Sequence, residues 1–149
     1  MKKMMTLVTA AALLFTTTAF ATGGEETVTV KVRQAFSKDF AGALKVNWEA
    51  KENYYFAEFM LNNTRFSAAY DEDGQLVATS RVIKTDQLPL ALTQALNERY
   101  SGYDQARTAT EVTHEGQTSY YLSVANDKQV LYLKAGPNGD ISVEKKMRR

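Results

Sequence analysis

The chain has 149 residues, with 18 Lys and Arg against 17 Asp and Glu, and no cysteine. That near balance gives no electrostatic ground for a nucleic-acid partner or an anionic membrane surface. Without a thiol there is no thiolate metal site, disulfide exchange or cysteine catalysis. In chain order, residues 1–21 read first as an export signal. Lys2 and Lys3 give a positive start, Leu7 to Phe15 a short apolar stretch, and Ala19-Phe20-Ala21 a small-x-small cleavage site. The apolar stretch falls short of the roughly 20 residues a spanning helix needs. No cysteine follows it to carry a lipid. The expectation is a protein of the periplasm or secreted, after signal peptide cleavage near Ala21, with no membrane insertion once the signal is gone. The 128 residues from Thr22 onward carry a net charge of −1 once Lys2 and Lys3 are removed. They suit a single domain, 22–149, with its own core.

After a Gly- and Glu-rich lead-in, apolar residues at Val28, Val32, Ala35, Phe36 and Phe40 make one stripe at helical spacing over Val28 to Ala41, stopped by Gly42. Thr27 to Val30 also alternates, so the helix start is open between helical and extended. Val46 and Trp48 alternate with Lys45, Asn47 and Glu49 as a half-buried strand. Tyr54 to Leu61 is a second strand and Arg65 to Tyr70 a third, joined by an Asn62-Asn63 turn. Asp71-Glu72-Asp73-Gly74 turns the chain into a fourth, Leu76 to Ile83. Leu88-Pro89 opens another helix, Pro89 being pre-set for the first turn. Leu88, Leu92, Ala95, Leu96 and Tyr100 form its stripe and Gly102 ends it. Strands are predicted at Tyr103 to His114, Thr118 to Ala125, Gln129 to Ala135 and Ile141 to Lys145. Lys84 to Gln87 is the only stretch with the character of a linker, and it is too short to free two domains.

The second set of elements repeats the first. Ala35-Phe36-x-x-x-Phe40-x-Gly42 returns sixty positions on as Ala95-Leu96-x-x-x-Tyr100-x-Gly102. Tyr55-x-Ala57-x-Phe59 returns as Tyr120-x-Leu122-x-Val124, and Asp73-Gly74-x-Leu76 as Asn138-Gly139-x-Ile141, both sixty-five positions on. One five-residue insertion between the first and second strands of the second copy reconciles the offsets. The expected fold is α+β, with tandem helix-plus-four-strand repeats at about 28–83 and 88–146. They would form one antiparallel sheet of about eight strands with helices packed on one face.

These motifs in this order resemble the PepSY-like, β-lactamase-inhibitor-like exported proteins. The residues that carry the resemblance are Ala35 to Gly42, Val46 to Trp48, Tyr55 to Phe59, Tyr70 to Leu76, Leu88-Pro89 and Tyr100 to Tyr103. The second copy departs from the pattern in having no tryptophan and in carrying Gly136-Pro137-Asn138-Gly139 at its turn. The resemblance implies a fold and an envelope location, and supplies no catalytic residues to carry over.

Candidate chemistry is sparse. His114, the only histidine, precedes a Glu115-Gly116 turn, where a surface residue is expected rather than a general base. No nucleophile elbow, phosphate loop or paired histidines appear. Asp71, Glu72 and Asp73 offer carboxylates for calcium, but the chain enters a strand at Leu76 without the distant glutamate of an EF-hand loop, and a hairpin turn explains the same residues. No metal and no cofactor are expected, and no enzyme. Alternation places Tyr55, Ala57, Phe59, Leu61, Phe66, Ala68 and Tyr70 under the helix, with Leu131, Leu133 and Ala135 in the second copy. It places Tyr54, Phe56, Glu58, Arg65, Tyr121, Tyr132 and Lys134 on the other face. Large rings with a few charges suit a partner-binding surface; equally, cross-strand aromatic pairs stabilise a one-sided sheet or lie under a second copy. Trp48 reads as core. The expected function is a non-catalytic exported binding module for a protein or peptide, with inhibition as one form of it. The alternative is a small-ligand carrier using a concave sheet between the repeats. A metal-dependent enzyme built on His114 and the Asp71–Asp73 cluster is the third reading.

Overall fold

A computed structural model describes residues 28–149; the signal sequence expected over residues 1–21 lies outside the described residues. The elements are helix α1 (Val30–Asp39), strands β1 (Leu44–Lys51), β2 (Tyr54–Leu61), β3 (Thr64–Asp71) and β4 (Leu76–Lys84), helix α2 (Leu90–Arg99), then β5 (Asp104–Gln105), β6 (Thr108–His114), β7 (Gln117–Ala125), β8 (Gln129–Ala135) and β9 (Ile141–Arg148). The strands form one antiparallel sheet in the order β1-β2-β3-β4-β6-β7-β8-β9, with β5 beside β7. The fold is α+β, as the sequence implies. By compactness the chain divides into two units that part at Arg81/Val82, inside β4 rather than at the expected linker 84–87.

In the first unit, Thr29 sits in extended backbone as the cap of α1, its Oγ1 accepting the Val32 N–H at 3.3 Å. That places the helix start, left open by the sequence, at Val30. The side chain satisfies one of the free amides of the first turn, so helix begins only at Val30. At the other end Phe40 leaves helical geometry and Gly42 takes φ 87°, so the helix stops at Asp39, short of the expected Ala41. The stripe then buries Val28, Val32 and Phe36 against Ala57, Phe59, Ala68 and Tyr70. Phe36 is the hub of this core, with ring centroids 5.0 Å from Phe59 and 5.1 Å from Trp48, both edge-on. Edge-to-face packing suits the ring quadrupoles and adds to area burial. Trp48 is half-buried and packs against the margin of this core. Tyr70, fully buried, donates its hydroxyl to Asp39 Oδ2 at 2.9 Å and ties the end of α1 to β3.

In the second unit Pro89 occupies the cap position itself rather than the first helical residue, and its carbonyl accepts the Thr93 N–H at 2.9 Å. Pro suits that position because it has no N–H of its own to satisfy. Leu92 and Leu96 are fully buried against an aliphatic set of Ile83, Leu88, Leu122, Val124, Leu131 and Leu133. The strand expected at Tyr103 to His114 is broken into β5 and β6. Ala106 N–H still bonds Ser123 O, but the register against β7 shifts between Gln105↔Val124 and Thr110↔Tyr121, while the Arg107 carbonyl accepts the Thr85 N–H. The last strand runs on to Arg148, beyond the expected Lys145, because its register against β8 continues to Gln129↔Arg148.

Turn chemistry follows the sequence closely. Asn62 and Asn63 have φ 50° and 61°, as a two-residue hairpin with native twist requires. Gly74 and Gly139 both take positive φ and both lie against the first turns of their own unit's helix. A Cβ on Gly74 would stand 3.3 Å from Lys31 O, and one on Gly139 only 3.0 Å from Ala91 O and Ala95 Cβ.

Candidate functional site

The acidic turn is a turn. Asp71 Oδ1 accepts the N–H groups of Asp73 at 2.9 Å and Gln75 at 2.8 Å, while Asp73 Oδ1 lies 3.1 Å from Lys31 Nζ. Two of the carboxylates are thus engaged with the chain itself. His114 ends β6 opposite Gln117 and is half-buried, so it is less exposed than the sequence implied. Among the described residues no cluster of His, Asp or Glu is placed to hold a metal ion.

Register decides which side chains share a face, because directly paired residues on neighbouring strands point the same way. Lys51↔Tyr54, Glu49↔Phe56, Glu58↔Ser67, Met60↔Arg65 and Phe56↔Ala69 put Tyr54, Phe56, Glu58 and Arg65 together on one face of the first unit. Ala57, Phe59, Ala68 and Tyr70, the alternate residues, belong to the core under α1. Within this face Arg65 Nη2 meets Glu58 Oε2 at 2.6 Å, so the two charges are already paired; Arg65 is well exposed and Glu58 largely covered. Phe56 is not an exposed anchor. It is 7% accessible and forms a small second cluster with Ala69 and Ala78, against which Tyr54 packs. Beside this cluster Ser67 and Ser80 oppose each other across β3 and β4, both 5% accessible. Ser80 Oγ has no hydrogen-bond partner among the described residues.

In the second unit Tyr121↔Lys134 and Ser123↔Tyr132 place Tyr121, Tyr132 and Lys134 on the face away from the Leu122–Val124–Leu133 core. Lys134 Nζ stands 5.9 Å from the centroid of the Tyr121 ring, a cation–π contact that favours this arrangement of the two side chains. Tyr132 is 43% accessible, and Lys145 is its register partner on β9. An open groove of about 850 Å³ lies at the end of this strand group, lined among others by Arg99, Ser119, Lys134, Asp140 and Ser142. Alternation alone located the seven expected residues by face. It missed Ala69, Ala78 and Ser80, whose place beside Phe56 depends on strand pairing and on the register shift between Ala69 and Tyr70.

No protein-family model matches the sequence. No curated protein matches it either. Solved structures do share its fold. A DUF2874 family protein from Bacteroides uniformis ATCC 8492 superposes with a TM-score of 0.69 at 24% identity, over 81% of this chain and 89% of that one. A protein ascribed to the periplasm of Bacteroides eggerthii DSM 20697 gives 0.69 at 21%, over 81% and 88%. A BLIP-like protein from Bacteroides fragilis NCTC 9343 gives 0.68 at 19%, over 81% and 87%. The fold is therefore the BLIP-like one. Among the described residues no helix is long and apolar enough to cross a membrane.

Proposed function

We propose that this chain is a non-catalytic, exported binding module of the cell envelope, built as two repeats, that offers the helix-free strand face of each repeat to a protein or peptide partner. The observation that carries the reading is the surface of the second unit. There an exposed Tyr132 stands beside a Lys134–Tyr121 pair already held in place. Such a surface gives a partner a large ring to bury and a fixed charge to orient it, at little entropic cost. In the first unit Tyr54 and the Glu58–Arg65 pair take that part around Phe56, which serves as floor. The structural likeness to a BLIP-like protein and to one ascribed to the periplasm supports the envelope setting. Inhibition of an exported enzyme is one form this binding can take.

The test is capture from an envelope extract, with the retained proteins identified by mass spectrometry. Tyr132→Ala together with Lys134→Ala should lose the captured protein while the thermal midpoint stays within a few degrees, since neither residue is in the buried core. Capture unchanged by both substitutions would sink the proposal.

A further inference from the structure

The edge of the second unit carries a feature that the face reading does not use. β9 pairs with β8 and ends the strand order, and every residue of it after Ile141 is exposed. The Arg149 N–H bonds Lys128 O, continuing the β8–β9 register. Antiparallel residues alternate between inward and outward hydrogen bonding. The free N–H and C=O groups at this end of the edge therefore belong to Arg148 and Lys146. Those two residues, with Lys145 and Arg149, also concentrate positive charge on the strand. Among the described residues Lys145, Lys146 and Arg148 are in no ion pair. The one acidic side chain on the strand, Glu144, accepts the Ser142 hydroxyl at 3.2 Å. Exposed Met147 lies on the same face as Lys145 and Tyr132.

We infer that the β9 edge is a strand-addition site for an extended, acidic segment of a partner protein. The backbone supplies the pairing groups and the four basic side chains supply the choice of partner. A partner strand with acidic residues at alternate positions meets Lys146 and Arg148 on one face; an apolar residue between them covers Met147 on the other. The same charges disfavour a second copy of this chain in the register that pairs the free groups of both strands. Antiparallel pairing of two β9 strands about Met147 would set Lys146 against Arg148 on both sides, and like charges directly opposite are destabilising. The first unit's edge, β1, is a poorer template. Lys45 takes φ 53° there and the register slips between Leu44 and Asn47.

The experiment is titration of the ¹⁵N-labelled protein with a ten-residue peptide of alternating Glu and Val. Shifts centred on Lys146 and Arg148, with slowed amide exchange at those two residues, are expected. Affinity should fall at least tenfold in Lys146→Glu/Arg148→Glu, and should weaken when salt rises from about 0.05 M to about 0.5 M as the screening length shortens. A copy of the peptide N-methylated at alternate residues keeps the charge and loses the ladder. Equal binding by that copy would overturn the inference by showing charge attraction alone, as would shifts confined to other strands or dimerisation through β9 without peptide. The pairing groups of Lys146 and Arg148 and the side chains of Tyr132 and Lys134 are separate sets, so either reading can fail while the other stands.

Discussion

Tyr70 illustrates how one side chain can set a pH limit. Burial first, and then the hydrogen bond to and charge of Asp39, hold its phenol well above the ordinary value of 10.0. The unfolded chain ionises this phenol near 10.0 and the folded chain does not, so above that pH the unfolded state is the one that has released the proton. Stability contributed by the neutral phenol is whole below about pH 10 and declines as pH rises beyond it. Urea unfolding followed from neutral pH to about pH 11 should show this decline. Tyr70→Phe should flatten it while lowering stability at neutral pH by about 1 kcal/mol, the usual worth of one hydrogen bond. A steeper decline in the variant would refute the assignment. Glycine positions give a second residue-scale contrast. Gly74 and Gly139 share positive φ, but a Cβ on Gly139 meets the α2 backbone and Ala95 at 3.0 Å, against 3.3 Å to Lys31 O for Gly74. Gly139→Ala should therefore cost more than Gly74→Ala, about 2 kcal/mol or above once the left-handed backbone is counted. Chemical denaturation of the two variants, run side by side, gives the order.

The two helices begin by different means, and that difference has a measurable consequence. α1 is capped by a side chain, Thr29 Oγ1, so Thr29→Ala should lower stability by about 1 kcal/mol, read as the shift in urea midpoint. Pro89 makes no side-chain capping bond, so Pro89→Ala has no comparable bond to lose. A Thr29→Ala effect no larger than that of Pro89→Ala would contradict the capping account. Much of this element layer was legible in the sequence. Helical spacing found Val32, Phe36, Leu92 and Leu96, and period-two alternation found both edges of β2 and β8, because burial on one face forces those periods. Asn62-Asn63 was legible for a different reason, since few residues tolerate the backbone that a two-residue hairpin needs. What escaped depended on partners distant in sequence. β5 and β6 part where the register against β7 shifts, and no local pattern encodes that. β9 runs on past the alternating Ile141 and Val143 because β8 is there to pair with it. Phe56 was placed on the right face but not at the right depth. Its cover comes from Ala69 and Ala78, which reach it only through the pairing of three strands.

At the level of the whole chain, the two units use the same order of helix and strands but fill them differently. The first core is aromatic around Phe36, and the second is mostly aliphatic around Leu92 and Leu96, with Tyr120 as its buried ring. Core positions can differ in this way as long as volume and pattern are kept, because hydrophobic burial is not directional. The helix-free faces are under no such constraint, and they diverge in what they expose. In the first unit Phe56 is enclosed and the Glu58–Arg65 charges neutralise each other; in the second Tyr132 is exposed and Lys134 lies near the Tyr121 ring, in no ion pair among the described residues. A paired charge must be separated before it can engage a new partner, whereas a cation lying on a ring is ready to do so. If partner binding uses the strand faces, the second unit should carry most of it. With a captured partner in hand, Tyr132→Ala/Lys134→Ala should raise Kd at least a hundredfold, in keeping with two residues of hot-spot type losing roughly 3 kcal/mol together. Tyr54→Ala/Arg65→Ala should change it less than tenfold. Titration calorimetry on the two double variants measures both, and the reverse order would assign recognition to the first unit, against the expectation drawn from exposure.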